Sequence, residues 1–334
     1  MGAFRQVGRR EMLRGIAVAT LVAPEIVRAQ AAPRLVGAMI GAASATDGNG
    51  IAWFNAVRTG LAEEGWTDGG NAHIEARYTA GLPELSLQYA TELAALRPDV
   101  WVCGTPNNSL NAHRLTPDTP LVFVAVPDPI EVGLVRSFNE PGGNITGVAH
   151  FEARIGGRQM ELLLEIAPHL RRVGYIYNPA VGSNSWEQLR PYALEVAEAA
   201  GVELIDLPVF STEEVEPAIA SVAALPNTGL FLPTNNWVSS NRFVFIDAVE
   251  RHRLPAMWAH SNIDVGLISY HVDTTEAFHQ AGRLAGRILD GARPADLPVL
   301  GAPRYILTVN LAAAAALGLT VPQSILVVAD RIIE

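Results

Sequence analysis

The sequence predicts an α/β protein of two similar lobes, each built on a parallel sheet with helices on both faces. Three observations carry that expectation. The chain has 334 residues, and at about 150 residues per domain this length suggests two domains. Short apolar runs alternate with helical stretches of about 10–15 residues, the arrangement of parallel α/β sheets. The order of runs and loops that starts at Arg34 starts again at Arg172.

In the first unit, Arg34 to Ile40 is a short apolar run that reads as a buried strand. A Gly/Ser/Thr/Asp/Asn loop from Gly41 to Gly50 follows, then a helix with apolar positions Ile51, Phe54, Val57 and Leu61 that stops at Gly65. A strand from Ala72 to Tyr78, a helix from about Pro83 to Leu96 and a strand from Val100 to Cys103 complete it, the last running into Gly104-Thr105-Pro106. In the second unit the strand is Arg172 to Tyr177, the polar loop Asn178 to Ser185 and the helix Trp186 to Ala200, stopped at Gly201. A strand from Val202 to Leu207, a helix near Glu213 to Ala224 and the strand Thr228 to Leu232 follow, the last running into Pro233-Thr234. The run Thr119 to Phe123, ending in Asp128 and Gly133, is then matched by Leu254 to Trp258, ending in Asp264 and Gly266. In open α/β sheets ligands sit beyond the carboxyl ends of the strands. With two lobes, the expected place is the cleft between them.

Composition removes several chemistries. Hydrophobic residues make up 49% and charged residues 17% of the chain, which excludes a disordered or fibrous class. All 24 residues counted as Lys or Arg are Arg. Without lysine there is no Walker-type phosphate-binding group, no Schiff base and no kinase-type lysine. The net charge of −10 argues against nucleic acid, which needs a concentrated cationic surface. The single cysteine, Cys103, lies in an apolar run and reads as a small buried hydrophobe. One cysteine makes no internal disulfide and no thiolate metal cluster.

Residues 1–29 read as an export signal. Arg5, Arg9, Arg10 and Arg14 form a basic start, Gly15 to Ala23 is apolar, and Val27-Arg28-Ala29 is a small-residue cleavage site. The apolar stretch is too short to span a bilayer. Gly8-Arg9-Arg10-Glu11-Met12-Leu13 resembles a twin-arginine signal, with an ordinary Sec signal as the alternative. The segment carries five Arg and two Glu, so its removal takes the net charge from −10 to −13. An acidic exported chain without disulfides points to the periplasm of a Gram-negative bacterium, where nucleotide cofactors are scarce.

Enzyme motifs are weak or missing. Gly37 and Gly41 give only G-x-x-x-G, too loose to cradle a pyrophosphate, and there is no G-x-S-x-G elbow. The eight His show no metal-ligand spacing, and His73 with Glu75 reads as an exposed strand pair. The polar loops are more informative. Ser44, Thr46, Asp47 and Asn49 follow the first strand, while Asn178, Ser183, Asn184 and Ser185 hold the equivalent place in the second unit. Each alone is ordinary turn chemistry. Together, neutral hydroxyls and amides at equivalent strand ends fit a site that hydrogen-bonds a solute without transforming it. Trp186, Trp237, Trp258 and Tyr270 are candidates for apolar walls or for core packing.

Four motifs resemble a known family: Gly104-Thr105-Pro106, Val126-Pro127-Asp128-Pro129, the segment Pro141-Gly142-Gly143-Asn144-Ile145-Thr146-Gly147, and Ala316-Leu317-Gly318-Leu319-Thr320-Val321-Pro322. In order along the chain from about Arg34 to Glu334, they are similar to the substrate-binding proteins of ABC importers, in particular the tryptophan/tyrosine-type periplasmic binding proteins. The resemblance implies a type I periplasmic binding fold, two Rossmann-like lobes joined by a three-strand hinge that closes on ligand. It implies a first lobe of residues 33–149 plus 273–300 and a second of 150–272 plus 301–334. Crossovers are expected near Gly147–His150, near Tyr270–Asp273 and before Arg304–Asn310, with a helix from Glu276 to Leu289 returning to the first lobe.

By the same resemblance Thr105 and Asp128 sit at the first-lobe cleft edge. Their second-lobe counterpart is Asn235, where relatives suited to an amino group often carry Asp, and His271 stands where many have Gly. An amide cannot balance a buried ammonium. The expected ligand is therefore not a simple zwitterionic amino acid.

These readings converge on a solute-binding protein that captures a small organic molecule and delivers it to an ABC permease in the inner membrane. It is expected to be a monomer, with no catalysis, cofactor, metal or nucleic-acid partner. Closure needs contacts from both lobes, and the expected ligand residues are Ser44, Thr105 and Asp128 from the first and Asn178, Asn235 and Tyr270 from the second. Alternatives are a ligand sensor that presents its closed form to a membrane receptor, and an exported two-lobe hydrolase.

Overall fold

Strands that are apolar on successive residues belong in sheets covered on both faces. The computed structural model describes residues 1–2, 32–42, 44–150, 153–180, 185–234, 236–260 and 266–334. In it the first lobe's sheet is built of β1 (Arg34–Ile40), β2 (Ala72–Tyr78), β3 (Val100–Gly104), β4 (Leu121–Val126) and β5 (Ile145–Ala149). They run parallel in the order β2-β1-β3-β4-β5. Helices α1 (Gly48–Glu63), α2 (Pro83–Ala95) and α3 (Pro106–Leu115) connect them.

The second lobe begins with α4 (Ile155–Ile166), β6 (Arg172–Tyr177), α5 (Ser185–Ala199) and β7 (Glu203–Pro208). It continues with α6 (Val215–Ala223), β8 (Thr228–Leu232), α7 (Asn236–Ser240), α8 (Arg242–His252), β9 (Ala256–Trp258) and β10 (Ile268–Val272). After α9 (Thr274–Leu289) come β11 (Tyr305–Asn310), α10 (Leu311–Ala316), α11 (Gln323–Val328) and β12 (Arg331–Ile333). The sheet order is β12-β11-β10-β9-β8-β6-β7.

Alternation along each strand fills two core layers per sheet, as the two-residue period requires. On β3, Val100 and Val102 join the layer under α1 and α9, whereas Trp101 and Cys103 join the layer under α2 and α3. On β8, Phe231 faces α4 and α5, while Leu230 and Leu232 face α6 and α8. Cys103 is fully buried.

Helix α9 completes the first lobe's core although it follows the second lobe in sequence. Phe278, Ala281, Leu284, Ala285 and Ile288 fill one face of the first sheet. Its backbone also touches that of α1: a β-carbon at Gly60 would fall on the His279 carbonyl oxygen, and one at Gly282 on that of Val57. The chain thus leaves the second sheet on β10, traverses α9 and returns on β11. That itinerary makes β10 and β11 antiparallel, a departure from the all-parallel sheets expected from the alternation. A second departure is local. Helix α1 begins at Gly48, inside the expected polar loop, because the Asp47 side chain accepts a 3.0 Å hydrogen bond from Asn49 N and caps the first turn.

Candidate ligand-binding cleft

Strand ends from both sheets meet at one cavity of about 60 Å³. Thr105 and Ala125 reach it from beyond β3 and from β4, His150 from beyond β5, Thr234 and His260 from beyond β8 and β9, and His271 from β10 itself. This is the place open α/β sheets offer a ligand. A cavity of about 150 Å³ holds benzene. A larger solute extends into the adjoining cleft of about 540 Å³, which shares Asn49, Trp53, His271 and Thr274 with this cavity.

One wall is apolar. The Trp53 and Phe278 rings, from α1 and α9, stack with centroids 5.1 Å apart and planes 17° from parallel. They lie on each other, so no further ring fits between them, and they present a flat face rather than a clamp.

The polar wall is made of imidazoles and hydroxyls. His260 is 4% exposed; its Nδ1 lies 2.8 Å from Ser239 Oγ on α7, and its Nε2 has no hydrogen-bond partner among the described residues. Burial pushes its pKa down to about 3; His271 and His150 add to the shift, and a hydrogen bond to the Pro233 backbone opposes it. His150 is pushed down to about 4, by burial first and then by His271. These two rings are neutral at pH 7. No Asp, Glu or Arg is among the described lining residues, and no group of three or more His, Cys, Asp or Glu among the described residues is arranged to hold a metal ion.

Thr105 caps α3, its Oγ1 accepting a 3.3 Å hydrogen bond from Asn108 N. It does so with φ of 101°, a region that β-branched residues rarely enter. Ala125, also in the wall, has φ of 56°. Strain of this kind gathers at ligand sites, where surrounding structure holds it in place.

Among the described residues, contacts between side chains bridge the lobes across the cleft. Asp47 at the start of α1 pairs with Arg242 of α8 at 3.5 Å, both partly exposed. Gln188 of α5 donates to Glu131, beyond β4, at 3.0 Å. The molecule is therefore in a closed arrangement.

Of the six residues expected from the sequence, Thr105 lines the cavity. Ser44 shapes the loop after β1, its Oγ 3.1 Å from Thr46 Oγ1 and accepting from Asp47 N. Asp128 organises the turn after β4 by accepting from Ile130 N and Glu131 N. Asn178 is fully buried at the end of β6 and accepts from Ala180 N. Tyr270 packs on Tyr305 with centroids 5.5 Å apart, and its carbonyl accepts from Gln159. Asn235, Ser183, Asn184 and Asp264 lie outside the described residues, as does nearly all of the expected export signal.

Three of the aromatic candidates also serve packing. Trp186 stacks on Tyr177 at 3.9 Å, Trp237 meets Phe245 edge-on, and Trp258 is buried in the core under α6 and α8. His150 and His260 were missed, since they are 110 residues apart and show no motif spacing. Their one signal is position: each directly follows an apolar run, Gly147-Val148-Ala149 or Met257-Trp258-Ala259. That is where strands end and sites form.

Known proteins agree with this architecture. Residues 49–333 match the family model described as ABC transporter substrate binding protein. The chain is 25% identical over 244 residues to a tyrosine-binding protein of Clostridioides difficile strain R20291, covering 72% of this chain and 68% of that one. It is similar to the structure of an ABC domain in complex with L-Trp from Streptococcus pneumonia, with 25% identity, a TM-score of 0.80, and coverage of 90% of this chain and all of the other. A periplasmic ribose ABC transporter structure from Conexibacter woesei DSM 14684 shares the fold at 14% identity, with a TM-score of 0.56 over 83% of this chain and 92% of that one. The fold is the type I periplasmic binding fold. Because the family match runs from the first turn of α1 into β12, it takes in both sheets and nearly every wall of the cavity, and the chain belongs to the ABC transporter substrate-binding protein family.

Proposed function

We propose that this chain is the solute-capturing component of an ABC importer, closing two lobes on a small organic molecule and delivering it to a permease in the inner membrane. One observation carries the reading above the others: the cavity is walled by strand ends of both sheets, and Asp47 beyond β1 pairs with Arg242 of α8 from one sheet's side to the other's. Such a site is complete only when the lobes close, so a ligand that contacts both walls shifts the population to the closed form. Relatives named for tyrosine binding or solved with L-Trp support a small organic solute as cargo.

Residues 33–149 plus 273–300 form the first lobe and 150–272 plus 301–334 the second. The packing of α9 on α1 and of the Leu297–Leu300 segment along β5 supports this division. The protein works as a monomer in the periplasm, exported through residues 1–29 by the twin-arginine route, and catalyses no reaction. No helix among the described residues is long and apolar enough to cross a membrane.

A thermal-shift screen of the purified protein against amino acids, carboxylic acids, sugars and nucleosides tests the reading. A true ligand at a hundred times its Kd stabilises by about 2.7 kcal/mol. Failure of every class to raise the melting temperature would overturn it.

A further inference from the structure

The cavity's polar wall has an unusual balance. Three imidazoles converge on it from beyond β5, from beyond β9 and from β10, together with the hydroxyls of Thr105, Thr234 and Ser239. Among the described lining residues there is no carboxylate to balance a buried ammonium group. Helix α3, ten residues long, begins at this wall and is capped by the neutral hydroxyl of Thr105, leaving its positive end uncompensated. The Nε2 atom of His260, in a residue 4% exposed, lies in the same wall without a partner among the described residues. The helix start favours an incoming negative charge, and the buried unpartnered nitrogen is where a proton can be added to meet it.

Resting on the solute-capture reading, we propose that the cavity selects an organic carboxylate that carries no ammonium group, and that one of its histidines takes up a proton as the carboxylate arrives. The Trp53–Phe278 face receives the apolar part of that molecule. The carboxylate faces the histidine wall. An unpaired carboxylate in a closed cavity is costly, and no guanidinium is among the described lining residues, so the compensating charge comes from an imidazole. At His260 the Ser239 hydroxyl engages Nδ1, which leaves Nε2 as the atom that binds the added proton and donates to the ligand.

Other charged groups nearby are already paired. Asp47 meets Arg242 at 3.5 Å and Asp273, the cap of α9, meets Arg304 at 2.9 Å. Arg242, Asp273 and Arg331 line the adjoining cleft on the His271 side. Among the described residues, the groups facing His260 are His150, His271, the Ser239 hydroxyl and the Pro233 carbonyl, and none of these is an acid.

The test uses matched pairs that differ by the ammonium group alone: propionate against L-alanine, 3-(4-hydroxyphenyl)propionate against L-tyrosine, and indole-3-propionate against L-tryptophan. Isothermal titration at pH 7 in two buffers of different ionisation enthalpy reads affinity and proton uptake together. At least one carboxylate is expected to bind tenfold or more tightly than its amino twin, with uptake of up to one proton. Its Kd should rise by up to tenfold per pH unit between pH 6.5 and 8, and the slope should shrink in His260→Gln.

An amino acid that binds as tightly as its twin, sulfate that binds more tightly than any carboxylate, or carboxylate binding with no proton uptake each overturns the inference. If a sugar or nucleoside binds and no carboxylate does, this inference fails while solute capture stands. If nothing in the full screen binds, the solute-capture reading fails with it.

Discussion

Thr105 shows how one residue does two jobs that conflict. Its hydroxyl caps α3, while its φ of 101° holds a β-branched side chain in a region suited to glycine. Loss of such a cap costs about 1 kcal/mol, whereas the backbone strain stores about 1–3 kcal/mol. Thr105→Ala keeps the strain and loses the cap, so it is expected to destabilise by about 1 kcal/mol. Thr105→Gly loses the cap but relieves the strain and should come out close to wild type. Urea unfolding midpoints of the two variants check this, and equal losses in both would show that no strain is stored there. Cys103 makes a plainer case. It is fully buried and burial pushes its thiol pKa far up, so the native protein should not react with a thiol reagent that reacts once the chain is unfolded.

At the scale of elements, the contact between α1 and α9 leaves no room for a side chain at two positions. Gly60 and Gly282 let the two backbones touch, and a β-carbon on either meets a carbonyl oxygen that cannot move without its helix. Overpacking a core costs about 1–3 kcal/mol, and here it drives two backbones apart. Gly282→Ala is therefore expected to destabilise by at least about 2 kcal/mol, read as a lower urea midpoint. A neutral result would mean that the helices slide freely.

Neither glycine stands out in the sequence, because nothing local distinguishes a packing glycine from a loop glycine. The strands were different. Arg34–Ile40, Arg172–Tyr177 and Thr228–Leu232 were legible to the residue, since a run buried on both faces leaves a nearly continuous apolar signature, and Ala72–Tyr78 at the sheet edge was legible from its alternation of Ala72, Ile74 and Ala76 with His73, Glu75 and Arg77. Helix α3 was not legible. It follows β3 through Gly104-Thr105-Pro106, and Asn107, Asn108 and Ser109 read as loop chemistry. In the structure, Asn108 and Ser109 are buried and bond back to the Gly104 and Thr105 carbonyls. The site was half legible for the same reason: the strand ends could be named, but which of their side chains converge depends on how the two lobes face each other.

For the whole molecule, closure is a balance that pH shifts. In the closed form burial holds the pKa of His260 at about 3 and that of His150 at about 4, against an ordinary 6.5. If opening the lobes brings water to these rings, their pKa returns toward the ordinary value. Above pH 6.5 both are neutral in either form, and closure proceeds without proton exchange. Below pH 6.5 the open form binds protons that the empty closed form must release. Each ring then opposes closure by up to about 1.4 kcal/mol per pH unit, and the effect continues to grow until the closed-form pKa is reached. Two such rings outweigh a partly exposed ion pair such as Asp47–Arg242, which contributes about 1 kcal/mol or less. The empty protein should therefore open as pH falls from 7.5 to 5.5, seen as a rise in the radius of gyration by small-angle X-ray scattering. In His260→Gln the rise should be shallower, and Arg242→Met should shift the balance toward the open form by a similar amount at every pH. A radius that stays constant or shrinks over this range would show that the histidines do not oppose closure. A carboxylate ligand removes one of these two penalties, because the loaded closed form keeps on one histidine a proton that empty closure expels. The same titration with a bound carboxylate should thus show a shallower rise in the radius of gyration between pH 7.5 and 5.5 than the empty protein shows, and an equal rise in both would mean that the ligand holds no proton in the closed form.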